Sequence, residues 1–415
     1  MPPKSSSDAN KPAGLRNVMM MGLVSFFTDF STEMILGILP FYIVNNLGAS
    51  KAILGTIEGS AEFTSYALRM VSGSLSDKIG KRKLFVLIGY GLSTVSKPFF
   101  ILSSGWVDVL IVRITDRMGK GIRSAPRDAL ISDSVSESIS GQAFGIHRTI
   151  DQMGAIVGPI AAFVILEVMD IRYVFVFSLV PGAIAVIILI FFVKEISIGG
   201  VKRRLSNTKI FSNISILIKE NKPFAILLIV STIFSLGAFN FSFVLLKASD
   251  LGVKENLIPI VYAVINVSHT AIGIPSGILA DKFGKEKVLI LGYITFVATT
   301  VLMASAVSEK NAMYPYLFAA VFGLYLGISE TVQRAIVPKY VSSELRGTAF
   351  GLFSVVIGIS FFISNVLFGF LWDNYNFNFA ALYSSVLPLA AIIGMFLFIK
   401  KYSKRYTDTR NNISA

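Results

Sequence analysis

The chain has 415 residues, 53% of them hydrophobic and only 15% charged, with a mean hydropathy of +0.69. Soluble domains carry about 25% charged residues, so a string of soluble domains of roughly 150 residues each is excluded. The net charge of +13 is scattered among apolar stretches, against a nucleic-acid module; the absence of cysteine removes disulfides, thiolate metal sites and a cysteine nucleophile, and two histidines, His147 and His269, are too few for a multi-histidine metal site.

A short polar tail, residues 1–16 with Lys4, Lys11 and Arg16, leads into twelve apolar runs. Each has about the 20 residues that a helix needs to cross a bilayer. The first six lie near 18–44, 52–72, 84–104, 106–131, 143–166 and 172–193, and the second six near 223–246, 256–277, 287–306, 312–338, 347–371 and 378–399. The first run is too long and too rich in acids for a cleavable signal. This spacing predicts an N-terminal six-helix bundle over 17–193, a linker over 194–222, a C-terminal six-helix bundle over 223–400 and a tail over 401–415. Within the linker, basic and apolar positions alternate as in a helix that lies at the membrane surface.

Lysine and arginine accumulate on the cytoplasmic side of a membrane protein. One set of connections holds Lys78, Lys81, Arg82 and Lys83, then Lys194, Lys202, Arg203, Arg204 and Lys209, then Lys282, Lys285 and Lys287, and the C-terminal tail adds Lys400, Lys401, Lys404 and Arg405. The opposite set is short and nearly balanced, with Lys51, Asp108, Asp170, Arg172, Lys247, Asp250, Glu309, Lys310 and Asp373. Both termini are therefore expected in the cytoplasm, and the protein in the plasma or inner membrane.

The halves repeat each other. Gly73, Asp77, Gly80, Lys81 and Lys83 after the second run recur as Gly277, Asp281, Gly284, Lys285 and Lys287 after the eighth, 204 residues on, and Gly141 and Gly145 recur as Gly347 and Gly351, 206 residues on. Such duplication marks transporters whose halves rock about a central site. With the Gly-x-x-x-Asp-x-x-Gly-x-Lys/Arg loop present twice, the chain resembles the major facilitator superfamily over essentially its whole length, in particular the branch of proton-coupled drug and metabolite antiporters. The resemblance implies an all-α membrane protein, twelve transmembrane helices in two pseudo-symmetric six-helix bundles, working as a monomer.

It also implies that Gly73, Asp77, Gly80, Lys81 and Arg82, with Gly277, Asp281 and Gly284 in the second copy, form a latch between the inner ends of the halves in the outward-open state. Asp77 is placed to accept hydrogen bonds from a helix start. Arg117 with Gly121 looks like the family's fourth-helix motif, although Lys120 stands where a glutamine is common. Gly145, Gly154, Gly158 and Pro159 resemble the fifth-helix motif of antiporters, without its closing Gly-Gly, where Ala162 and Phe163 stand. Small residues at that spacing also serve plain helix packing.

An ionisable group inside a span is costly and faces a partner or a wet cavity. In the fourth run Arg113, Arg117, Lys120, Ser124 and Arg127 share one helical face, flanked by Asp116, Arg123 and Asp128. Arg123, Arg127 and Asp128 are assigned to the inner surface as part of the latch. Asp29 and Glu33 lie one turn apart in the first run, and Arg148 and Asp151 follow His147 in the fifth. Asp29, Glu33, Arg117 and Asp151 are the candidate proton-coupling group, since a carboxylate whose cationic partner leaves during the cycle changes its hold on a proton. Glu58, Glu62 and Arg69 suit a permanent ion pair equally well, and Lys97 is placed toward the outer surface, where it snorkels.

The second half carries less charge: by the 206-residue shift Arg117 corresponds to Gly323 and Asp128 to Arg334. Arg113, Lys120 and Arg148 from the first half, with Asn240, Asn266, His269 and Glu330 from the second, are the candidate substrate cavity. The expected function is secondary transport across the lipid bilayer, namely export of small organic compounds or toxic solutes driven by the proton gradient, with no cofactor, metal or nucleic acid. The cationic stripe keeps open transport of an organic anion or phosphate ester. A receptor that kept the fold would carry a large added cytoplasmic domain, and an ATP-driven pump or enzyme a Walker-type phosphate loop; neither is in the sequence.

Overall fold

The computed structural model describes residues 13–136, 139–196, 210–306, 313–342 and 345–403. Most of both polar tails and residues 197–209 of the 194–222 linker lie outside them. The described residues form helices and no strand: α1 (Ala13–Leu36), α2 (Leu39–Phe41), α3 (Lys51–Ile79), α4 (Arg82–Ser96), α5 (Trp106–Ser134), α6 (Ser140–Leu166), α7 (Ile171–Phe177), α8 (Leu179–Phe192), α9 (Ile210–Lys219), α10 (Lys222–Gly237), α11 (Phe241–Asp250), α12 (Ile258–Phe283), α13 (Lys285–Ser305), α14 (Tyr314–Tyr340), α15 (Arg346–Asn374) and α16 (Phe377–Phe398).

Among the described residues, ten helical segments are long and apolar enough to cross a membrane. The second and fourth expected spans, α3 and α5, are 29-residue helices too charged to qualify by composition. Several of those charges are turned inward: Glu58, Arg113 and Arg117 are all buried. The sixth span breaks at Ser178 between α7 and α8, and the seventh at residues 238–240 between α10 and α11. In the latter break the Asn240 side chain accepts from the Ser242 backbone N–H and so caps the start of α11. Gly80 and Gly284 stop α3 and α12 at φ of 70° and 99°, backbone that only glycine adopts readily.

By contact the chain falls into two compact units, Met1–Leu36 with Thr64–Leu205, and Gly37–Phe63 with Ser206–Ala415. In the first, α1 lies along α6 and α8, and α4 along α5. Both tight pairs meet at glycine: Gly154 and Gly158 of α6 face the carbonyls of Phe26 and Phe30, and Gly89 and Gly119 face each other's carbonyls. Val18, Met21, Val24, Val86, Leu130 and Leu189 form one buried apolar core.

In the second unit α14 packs on α12 and α13, and α10 on α15 and α16. Phe234 stacks on Tyr293 at 3.8 Å, and Phe239 packs on Phe322 and Phe368. The second-half aromatics Phe239, Phe243, Tyr262 and Tyr325 are thus buried packing residues. The first half of α3 belongs here, its Gly55 and Gly59 against Asn365 and Phe362 of α15, its first N–H groups capped by Asp373 at 3.1 and 2.8 Å.

Candidate functional site

The first unit holds a charge cluster inside its helices. The glycine contacts between α1 and α6 bring the backbones together, and Asp29 and Asp151 come close enough for each to act on the other. Glu33, Lys120 and Arg123 also act on Asp29, and Lys97 lies within its field. Arg148 reaches Asp151 at 3.5 Å, with its own side chain 42% exposed.

Asp116 organises the stripe on α5. It takes a short hydrogen bond from Ser93 Oγ of α4 at 2.5 Å and an ion pair from Arg113 at 3.4 Å, and it lies within the field of Arg117 and Lys97. Arg113, Arg117 and Arg123 are all buried. Arg123, expected at the inner surface, lies over the ring of Tyr90 at 4.5 Å. The Tyr90 hydroxyl is 2.8 Å from Ser25 Oγ, which is 2.9 Å from His147 Nε2. Lys97 does not snorkel: it is 1% exposed, and its Nζ donates to Ser31 Oγ at 3.0 Å. The kink explains this, since α4 ends at Ser96 and a 3-10 turn opened by Lys97 and Pro98 turns the lysine into the bundle.

Where α3 gives way to α4, Arg82 binds Asp77 at 3.2 Å, Asp133 and the Ala129 carbonyl at 2.8 Å. Arg127 pairs with its neighbour Asp128 at 2.9 Å. The α4 start is capped by Glu195, which accepts from the backbone N–H groups of Arg82 and Lys83 at 3.1 and 2.8 Å, and this cap replaces the one expected from Asp77. In the second unit the position equivalent to Arg82 is Glu286, which accepts from Lys339 at 2.5 Å and from Tyr340; Asp281 is exposed and Gly277 half-buried.

Lys339 stands 206 residues after Asp133, so the inner ion pair recurs with its charges exchanged. Arg82→Glu or Asp133→Lys alone is expected to cost about 1–3 kcal/mol in thermal unfolding, and the double exchange to recover most of it. Recovery no better than the sum of the single losses would show that the pair does not act as one.

Also in the second unit, His269 Nε2 of α12 meets Glu330 Oε2 of α14 at 2.9 Å, where Gly327 lets α14 approach the His269 carbonyl. Asn240 is buried as a cap that also takes up Asn365, whose Oδ1 accepts from the Asn240 N–H at 2.9 Å. Asn266 is buried one turn before Thr270, whose hydroxyl donates to the Asn266 carbonyl at 2.8 Å.

The profile of the Major Facilitator Superfamily matches residues 21–364 and 225–412. The chain belongs to the major facilitator superfamily. It is 36% identical to an uncharacterised MFS-type transporter of Methanocaldococcus jannaschii, over 92% of this chain and 94% of that one. It is 25% identical to the quinolone resistance protein NorA of Staphylococcus aureus, over 84% and 88%. In fold it is similar to the nucleoside transporter NupG, with TM-score 0.74 at 16% identity over 93% of this chain and 99% of that one. The D-xylose-proton symporter gives 0.72 at 16% over 92% and 97%. The chain is therefore a multi-pass secondary transporter with the major facilitator fold.

Within that fold the antiporter-like glycines separate into two kinds. Gly154 and Gly158 touch backbone of α1, whereas a side chain at Gly145 would meet nothing within 4 Å. Pro159 lies buried inside α6.

Sequence reasoning missed Ser25, Ser31, Tyr90, Ser93, Asp133 and Glu195. The hydroxyls carry no signal in an apolar run. Asp133 could have been found from its opposite-charge counterpart Lys339 at the repeat shift.

Proposed function

We propose that this transporter exports small organic compounds in exchange for protons, with Asp29 and Asp151 as the proton site. The observation that carries the reading is the approach of these two acids across the glycine-lined seam of α1 and α6, inside a cluster where Arg148 reaches Asp151 at 3.5 Å and Lys120 and Arg123 act on Asp29. Glu33 and Arg117 complete the proton-coupling group, and Arg113, Lys120, Arg148, Asn240, Asn266, His269 and Glu330 supply the substrate cavity. Similarity to a quinolone resistance protein supports outward movement of drug-like solutes.

The test uses inverted membrane vesicles with an acid lumen, challenged with cationic dyes and then with organic anions and phosphates. Cationic compounds are expected to make the lumen more alkaline, and the response to vanish in Asp29→Asn. The buried Arg113, Arg117 and Arg123 favour a second reading, transport of an organic anion or phosphate ester, with guanidinium groups as ligands. A response to anions alone selects it.

The two six-helix bundles, 17–193 and 223–400, are proposed to rock about the site, and both termini to lie in the cytoplasm of a cell whose plasma or inner membrane holds the protein. Ser74 is exposed near the C-terminal end of α3, and the chain has no cysteine. A Ser74→Cys variant should react with an impermeant thiol reagent in inverted vesicles and not in whole cells; labelling only from outside would reverse the topology.

A further inference from the structure

We infer that His147 is a proton relay, which carries the proton of the Asp29 and Asp151 site toward the end of the first unit where α1, α4 and α6 begin; this rests on the proton-exchange reading. His147 is 4% exposed. Its Nε2 lies 2.9 Å from Ser25 Oγ, which is 2.8 Å from the Tyr90 hydroxyl, and both of those residues are buried. Ser25 stands one turn before Asp29 on α1, and His147 one turn before Asp151 on α6. The acids therefore have the same 122-residue offset as the bonded pair Ser25 and His147, and the two pairs are successive rungs across one seam. Residues four apart on a helix are neighbours, with Cβ atoms about 5–6 Å apart, so the imidazole of His147 and the carboxyl of Asp151 adjoin.

The rung lies between the acids and the helix starts. His147 follows the first residue of α6, Ser140, by about 10 Å and Tyr90 follows the first residue of α4, Arg82, by about 12 Å, at 1.5 Å per residue, and Asp151 is one turn deeper than His147. The groups that face the imidazole differ in what they can do with a proton. Arg127 and Asp128 act on it from α5, and Asp151 and Arg148 from its own helix; Arg123 lies over the Tyr90 ring. Arginine has no site to accept a proton, and Asp128 is bound to Arg127 at 2.9 Å. The imidazole can take up a proton at one ring nitrogen and give one up at the other. In the step proposed, a carboxyl of the acid site gives its proton to one nitrogen of His147 while Nε2 gives its own to Ser25. Ser25 and Tyr90 each receive a proton and pass one on, and water takes the proton that Tyr90 releases. The acid site is left one negative charge richer, and the three relay groups end neutral.

The experiment measures substrate-linked proton movement in vesicles of the intact protein, with a cationic dye and then an organic anion as substrate, beside exchange of labelled for unlabelled substrate. In His147→Gln, whose amide keeps a hydrogen bond to Ser25, proton movement is expected to fall by about 100-fold, the low end for loss of a positioned proton-transfer group. Substrate exchange and the unfolding temperature are expected to stay at the wild-type values. An unchanged proton rate removes His147 from the path, and loss of exchange and unfolding temperature in step with the proton rate marks it as a packing residue; either overturns the relay. Should His147→Gln not fold, Ser25→Ala breaks the chain with the imidazole in place. The same slowing is expected there, and a wild-type rate overturns the relay. Proton movement in the wild type that neither variant slows sinks the relay alone. Its absence in the wild type sinks the exchange reading and the relay together.

Discussion

In Asp29→Asn protein, substrate-linked proton movement is expected to fall by about 100-fold or more, the usual scale for loss of a positioned proton-transfer group, while exchange of labelled for unlabelled substrate continues. The physical reason is that two neighbouring carboxyls hold a proton between them more readily than either does alone. An amide at position 29 keeps the size of the side chain but neither takes up nor releases a proton. Asp151→Asn should give the same loss. The double variant should be no worse than either single one, since two carboxyls that hold one proton titrate as a unit and their effects do not add. Full proton coupling in both single variants would remove the pair from the mechanism. Glu33→Gln is expected to have a smaller effect, as Glu33 acts on Asp29 through its charge.

The fold was legible because its signals are long and repeated. Twelve apolar runs with an internal shift of 204 to 206 residues point to the class and the family, and two charged helices could be placed as α3 and α5 by their neighbours despite their composition. The acids were legible as acids, since an ionisable residue in an apolar run stands out. Their partners were not. Asp29, Glu33, Arg117 and Asp151 read as one group, while within the structure Arg117 acts on Asp116 and Asp151 acts on Asp29. Which carboxyl meets which depends on the rotation of α6 against α1, and that is set by backbone contact at Gly154 and Gly158, not by the charge pattern. Lys97 was misplaced for a related reason. A lysine near the end of a span reads as snorkelling, and only the kink at Pro98 decides that it points inward.

The same glycines lead to the second large effect. A Cβ at Gly154 would press on the Phe26 carbonyl, and one at Gly158 would stand 2.8 Å from the Phe30 carbonyl and 2.9 Å from the Glu33 Cβ. A backbone carbonyl does not swing aside as a flexible side chain does, so α6 must move away from α1 along its length. Gly154→Val is expected to cost about 3 kcal/mol, at the upper end for overpacking, and to be seen as a large drop in the yield of folded protein and in its unfolding temperature. Gly154→Ala should fold, less stably, and show the looser approach of Asp29 to Asp151 as a broadened or shifted infrared band of protonated carboxyl, because the helices that carry the two acids have been forced apart. Gly145→Val supplies the contrast. It lies in the same motif-like run, nine residues earlier on the same helix, with open space where its side chain would go, and it should leave stability within about 0.5 kcal/mol of wild type. A Gly145 variant as damaging as Gly154→Val would mean that the run acts through something other than the α1–α6 seam. Tolerance at 145 with loss at 154 and 158 would show that these glycines serve to bring Asp151 to Asp29.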